Sequence, residues 1–236
     1  MEWWREERTP SAEEPDPAGP WRAQAVIQLA KGDRFTDMPP CRLFSNTHIM
    51  PFMLILISRA RKYIYAKQYR MDHSEAFSLL EAAIRRNVWI RIVHDRDKFN
   101  NPACAHQNDR IRTLAELARD TGQEDCLRIR LLKPSRFGDG GFNSQHSKTW
   151  IVDGEIYVDG SANLTGQSTK NQESILMTRE KSVLEDALAV FGEAWGEAEE
   201  VSYDRLLSLP EHRSRSFSFH RRRSASVSAS RSLKEG

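Results

Sequence analysis

Between about residue 40 and residue 200 the spacing of apolar positions switches repeatedly between a two-residue and a three-to-four-residue period. These are the signatures of strand and helix. Cys41 to Phe44 predicts a first strand, with Ser45 or Asn46 capping a helix that runs to about Ala60. Lys62 to Gln68 has strand composition, rich in Tyr and Ile. His73-Ser74-Glu75 opens a helix in which Ala76, Leu79, Leu80, Ala83 and Ile84 share one face, ending near Asn87. Val88 to Val93 is an apolar strand closing on His94-Asp95. Ile111, Leu114, Leu117 and Ala118 mark another helix, and Leu127 to Leu132 another strand. Lys148 to Asp153 and Glu155 to Asp159 flank an Asp-Gly turn, a strong hairpin signal. Ser174 to Thr178 follows as a strand. Lys181 to Trp195 is an amphipathic helix, with Leu184, Leu188, Phe191 and Trp195 at spacings of four, three and four. Strands alternating with helices predict an α/β protein, a sandwich of helices about a mixed sheet.

The hairpin carries the chemistry. Residues 146–163 place His146, Lys148, Asp153, Gly160, Ser161 and Asn163 at the spacing H-x-K-x4-D-x6-G-S-x-N. His146 offers a nitrogen nucleophile, Lys148 a fixed cation, and Ser161 and Asn163 neutral donors. A phosphoryl group in transfer spreads negative charge over its oxygens, and such groups stabilise it. Residues two apart in a strand share a face, so His146 and Lys148 point the same way, and the return strand brings back Ser161 and Asn163. A lone His-x-Lys on a strand is ordinarily a solvated face; six positions matched together are not.

This stretch resembles the catalytic motif of the phospholipase D superfamily, and Glu173 in Asn171-Gln-Glu173 matches the family's downstream N-x-E element. The resemblance spans roughly residues 40–200. It implies the family's α/β/α sandwich and attack on a phosphodiester without a cofactor or metal, since lysines and imidazoles supply the charge. It does not select among phospholipids and nucleic acids.

Only one copy of the motif is present. His48, His73, His94, His106, His212 and His220 all lack a Lys at the second following position, and the nearest approach is His94-Asp-Arg96. Chemistry in this family takes two histidines, one attacking phosphorus and one protonating the leaving oxygen. A single-motif chain therefore implies a homodimer, in which a two-fold axis brings the same patch together twice. The chain is similar to the small single-motif branch, which includes bacterial endonucleases and Zucchini-like mitochondrial cardiolipin hydrolases.

Composition narrows the setting. The 236 residues suit one catalytic domain over 21–208, with an acidic, Pro-rich segment at 1–20 and an Arg/Ser-rich tail at 209–236, both expected to be disordered. Residues 212–236 carry a net +6 against +2 for the whole chain, leaving −4 for residues 1–211, so the basicity belongs to the tail. Such a tail suits contact with nucleic-acid phosphates or acidic headgroups, and phosphorylation of its serines would reverse its charge. Cys41, Cys104 and Cys126 are odd in number and scattered, which argues against a disulfide framework and for a reducing compartment. Cys104-Ala-His106 has no second ligand pair at zinc spacing. The longest apolar run, Ile49 to Ile57, contains Pro51 and falls short of the ~20 residues a membrane span needs. The acidic start matches neither a signal nor a mitochondrial peptide. The expectation is an intracellular, cytoplasmic protein, with peripheral membrane association open to it.

The roles carried over from the family follow. His146 of one protomer attacks phosphorus to give a phosphohistidine, and the second His146 protonates the departing alcohol and then activates water. Lys148 and Asn163 clamp the phosphate oxygens, Ser161 adds a donor, and Glu173 orients His146. Asp153 and Gly160 shape the hairpin. Arg130 and Lys133, and the glycines of Phe137 to Phe142, lead toward the site as a connecting loop. The leading reading of function is a phospholipase D or cardiolipin hydrolase acting on a phospholipid, because the single-motif branch includes cardiolipin hydrolases; the alternatives are an endonuclease on single-stranded DNA or RNA and an inactive dimeric scaffold. The intact set of His, Lys, Ser, Asn and Glu argues against the last.

Overall fold

The computed structural model describes residues 35, 38–133 and 144–211. The acidic N-terminal segment, the glycines of Phe137 to Phe142 and the tail from residue 212 lie outside the described residues. In chain order the elements are β1 (Cys41–Ser45), α1 (Ile49–Arg59), β2 (Tyr63–Gln68), α2 (Ser74–Arg85), β3 (Trp89–Asp95) and a short α3 (Arg96–Phe99). They continue with α4 (Ala105–Asp120), β4 (Leu127–Leu132), β5 (Thr149–Val152), β6 (Ile156–Gly160), β7 (Ser174–Thr178), α5 (Lys181–Glu197), β8 (Glu199–Glu200) and α6 (Tyr203–Leu207).

Among the described residues, eight strands form one open mixed sheet in the order β1-β7-β6-β5-β2-β3-β4-β8. Pairs β2–β3 and β3–β4 are parallel, and the rest are antiparallel. The two faces divide the core. On one side Phe52 and Leu56 of α1, Phe77 and Leu80 of α2, Ile111 and Leu114 of α4 and Leu206 of α6 pack onto Ile64, Ile90 and Ile129. On the other, among the described residues, α5 sets Leu184 and Phe191 against Val93 and Ile151, with Phe191 stacked on Tyr65 at 4.9 Å. Each fully buried side chain of this size contributes on the order of 1.5–3 kcal/mol. The result is the α/β/α sandwich that the alternating periods predict.

Most predicted elements agree to within a few residues, and the differences have local causes. The helix expected from Ser45 or Asn46 begins at Ile49, because a 3₁₀ turn over Asn46–His48 precedes it and no side-chain cap is made there. Asn46 takes a left-handed φ of 50° and turns its side chain elsewhere. His73 does cap α2, its Nδ1 accepting from Ala76 N–H at 3.4 Å. The short α3, β8 and α6 are too brief to register a period.

Because β5 runs antiparallel to β2, with Lys67 opposite Thr149, the residues just before β5 emerge at the carboxyl ends of the parallel strands. Gly160 pairs with Ile175 at the same end. His146, Lys148, Ser161, Asn163 and Glu173 are thereby gathered at one end of the sheet, beside the point where β2 has a parallel neighbour on one side and an antiparallel one on the other.

Candidate active site

His146 and Lys148 precede β5 rather than lying in it. What orients them is a buried polar staple. The Asp95 carboxylate accepts Gln145 N–H at 2.9 Å and Lys98 N–H at 2.8 Å. The buried Gln145 side chain accepts Ser147 N–H at 2.6 Å. These bonds satisfy backbone groups that no strand partner reaches and present His146 outward.

Lys148 is only 4% exposed. Its stem borders a small apolar pocket shared with Met50, Met53, Trp150, Asn163 and Leu164. Its ammonium folds back on His146, donating to the His146 carbonyl at 2.6 Å and lying 2.8 Å from Nδ1 and 3.2 Å from Nε2. Burial lowers the Lys148 pKa, with Glu173 opposing. Burial and then the Lys148 charge lower that of His146, with Asp95 opposing. A histidine held below its ordinary pKa is more fully neutral near pH 7, the form a nitrogen nucleophile needs.

Asn163 accepts Arg70 N–H through Oδ1 at 3.2 Å, which leaves its NH₂ group as a donor. Ser161 donates its one hydroxyl proton to the Glu173 carboxylate and accepts Ser174 N–H at 3.2 Å. Here it braces Glu173, whose other oxygen accepts from Asn171 at 3.3 Å. Within one chain the Glu173 carboxylate is thus held by Ser161 and Asn171. A Cβ on Gly160 would lie 2.7 Å from Ile175 Cα and collide with the Ser174 carbonyl, so only glycine lets β6 pass β7 this closely beside Ser161.

Asp153 stands apart from the other motif residues. It lies at the opposite end of β5, where its carboxylate accepts N–H groups from Arg61 at 2.9 Å, Lys62 at 2.7 Å and Tyr63 at 3.0 Å. The motif aspartate ties the hairpin turn to the start of β2. Arg130 also sits away from the cluster, bonded to the Trp195 carbonyl at 2.7 Å and to Glu200 at 3.2 Å.

Three positioning residues have no distinguishing mark in the sequence. Tyr69 packs its ring 4.6 Å from that of His146. Asp95 holds the approach to His146. Asn46 joins Glu173 through two bonds, its N–H to the Glu173 carbonyl at 3.0 Å and its Oδ1 from Glu173 N–H at 3.2 Å. Asn46 and Glu173 are 127 residues apart.

Among the described residues no helix is long and apolar enough to cross a membrane, and no group of three or more His, Cys, Asp or Glu side chains is placed to hold a metal ion.

The site can be compared with known proteins. A family model described as cardiolipin synthase, PLD-like domain matches residues 53–195. Nuc of Salmonella typhimurium, a phospholipase D family member, superposes with a TM-score of 0.54 at 21% identity, over 68% of this chain and 98% of that one. NucT from Helicobacter pylori superposes with a TM-score of 0.57 at 18% identity, over 68% and 98%. Phosphatidylserine synthase of Haemophilus influenzae gives 0.54 at 12% identity, over 71% of this chain and 42% of that one. At these identities the likeness is one of fold. No curated protein sequence matches the chain significantly. The family match covers more than half of the chain and contains His146, Lys148, Asn163 and Glu173; the chain belongs to the phospholipase D superfamily and is a phospholipase D-like phosphodiesterase.

Proposed function

We propose that the chain works as a homodimer and hydrolyses a phosphodiester through a phosphohistidine on His146. The observation that carries this is the buried Lys148 ammonium against the His146 imidazole. With burial, it lowers the pKa of the ring and so favours its neutral form, and it places a cation where phosphate oxygens would sit. His146 forms a bond to phosphorus as the leaving oxygen departs with a proton from His146 of the partner subunit. That second imidazole then takes a proton from water, the water oxygen attacks phosphorus, and the His146–phosphorus bond breaks. Two neighbouring histidines in opposite protonation states titrate as a pair. Lys148 and Asn163 bind the phosphate oxygens, and Glu173 accepts an imidazole N–H.

Single-stranded nucleic acid is the substrate the rim supports best. Among the described residues, segments 69–73, 94–100, 144–148 and 161–173 surround the site. They hold Arg70, Arg96, Lys98 and Lys170 and none of the exposed large hydrophobic side chains Leu43, Trp89, Leu176, Val183 and Val190. The same segments carry Asp72, Asp95, Asp97 and Glu173, so the rim is polar and charged without a large exposed hydrophobic side chain, which suits a phosphate backbone better than acyl chains. The family model's cardiolipin synthase description favours a phospholipid as the second reading. The basic tail would add backbone or headgroup contacts in either case, and the three scattered cysteines support a reducing, cytoplasmic setting.

The test is a parallel assay of the full chain on a single-stranded oligonucleotide, cardiolipin vesicles and phosphatidylcholine vesicles, with His146→Asn as the blank. The expected result is oligonucleotide cleavage that survives EDTA and falls at least about a thousandfold in His146→Asn, from a protein that sediments as a dimer. Activity retained by His146→Asn, lost with EDTA or complete in a monomer overturns the mechanism. Cleavage of vesicles alone transfers the substrate to phospholipid.

A further inference from the structure

Tyr69 follows β2 and has two lysines close to its ring. Its ring centroid is 5.2 Å from the Lys148 ammonium and 5.0 Å from that of Lys98 on α3, so the two charges are no more than about 10 Å apart. Three other cations nearby are paired with carboxylates: Arg70 with Asp72 at 3.7 Å, Arg96 with Glu199 at 3.7 Å and Lys133 with Asp97 at 3.2 Å. Among the described residues no carboxylate forms an ion pair with Lys98 or Lys148. Lys98 is charged near neutral pH in any case, and hydrogen bonding to Tyr69 raises its pKa further. Asp95 acts on Lys98 and Glu173 on Lys148 only from beyond ion-pair distance, so both ammonium groups stay available to anions. The aromatic face steadies both.

We infer that Lys98, carried by Tyr69, is a second phosphate-binding position that holds the phosphate next to the one attacked in a single-stranded nucleic acid. The inference rests on the nucleic-acid reading above. Two-fold symmetry supplies one Lys98 from each protomer, so a bound strand has a gripped phosphate on both sides of the scissile one. A strand held on both sides is cut internally. Lys98 does no bond-making; it positions.

The experiment compares two substrates on the full-length protein. A single-stranded oligonucleotide has neighbouring phosphates, and bis(p-nitrophenyl) phosphate has one phosphodiester and no neighbour. Lys98→Ala is expected to lower the ratio of kcat/KM on the oligonucleotide to that on the small diester about tenfold, mainly through KM. The slope of log kcat/KM against log salt should become shallower by about 0.7 for each phosphate that Lys98 no longer neutralises. Lys98→Arg should restore most of both. Equal losses on the two substrates, or an unchanged salt slope, overturn the inference. Wild-type hydrolysis of the small diester without oligonucleotide cleavage overturns it while leaving the phosphodiesterase standing. Hydrolysis of neither, nor of lipid vesicles, overturns both. The same Lys98 dependence on cardiolipin vesicles in place of the oligonucleotide reassigns the position to a lipid's second phosphate and overturns the nucleic-acid assignment.

Discussion

The Lys148 ammonium lies 2.8 Å from Nδ1 of His146, and its charge is one of the two causes that lower the histidine's pKa, after burial. Replacing the cation with a neutral side chain of similar length removes a like charge and makes protonation of His146 easier. In Lys148→Met the His146 ring protons should titrate at higher pH than in the wild type. Asp95→Asn should shift them lower, because Asp95 opposes the effect. Imidazole signals followed by NMR across pH 4–8 decide it. A shift to lower pH in Lys148→Met would contradict the electrostatic assignment.

Asp153 should matter to stability and not to catalysis. Its carboxylate accepts three backbone N–H groups at the start of β2, and its φ of 58° is one that aspartate and asparagine tolerate better than alanine. Asp153→Ala should cost about 3 kcal/mol, or roughly 6–12 °C in Tm for a domain of this size. Asp153→Asn, which keeps one acceptor, should cost about half of that. Calorimetry measures the loss, and hydrolysis per folded molecule should stay at the wild-type level. A large fall in kcat with an unchanged Tm would place Asp153 in the chemistry instead.

Asn46 is expected to act through Glu173. Asn46→Ala removes the Oδ1 acceptor of Glu173 N–H and strains the left-handed φ of 50°. The segment carrying Glu173 should then drift from Ser161. The expected outcome is a fall of about tenfold or more in kcat with KM little changed, since orientation rather than binding is lost. Asn46→Gly, which suits the same φ, should recover the fold but not the bond to Glu173. Full activity in Asn46→Ala would rule out the positioning role.

His94 should make the fold acid-sensitive. It is fully buried, and burial lowers its pKa from 6.5 against the opposing hydrogen bond to the Asp95 carbonyl. The unfolded chain therefore binds this proton more readily than the folded one. The stabilising effect of the neutral ring is complete above about pH 6.5 and is lost as pH falls through that value toward the folded pKa, at up to about 1.4 kcal/mol per pH unit. Urea unfolding between pH 7.5 and 5 measures this slope. His94→Gln should flatten it, and an unchanged slope would remove His94 as the cause.

The chain's own order of residues settles a good deal. Periods of two and three-to-four mark the long strands and helices, because burying one face of an element depends on spacing that the sequence displays directly. The motif between His146 and Asn163 names the candidate reacting groups, since its residues are near one another along one hairpin. The absence of a second motif carries the expectation of a dimer. Tertiary structure alone decides the rest. It ties the turn residue Asp153, at the far end of β5, to the backbone N–H groups of Arg61, Lys62 and Tyr63. It turns Ser161 toward Glu173, and it brings Asn46 to Glu173 across 127 residues. It also places Tyr69, Asp95 and Lys98 around His146, from strand ends and a one-turn helix with no period to announce them. Contacts between distant segments depend on how the sheet orders its strands, with β5 beside β2 and β7 beside β1. That order is set by packing of the whole core and is written in no local run of residues.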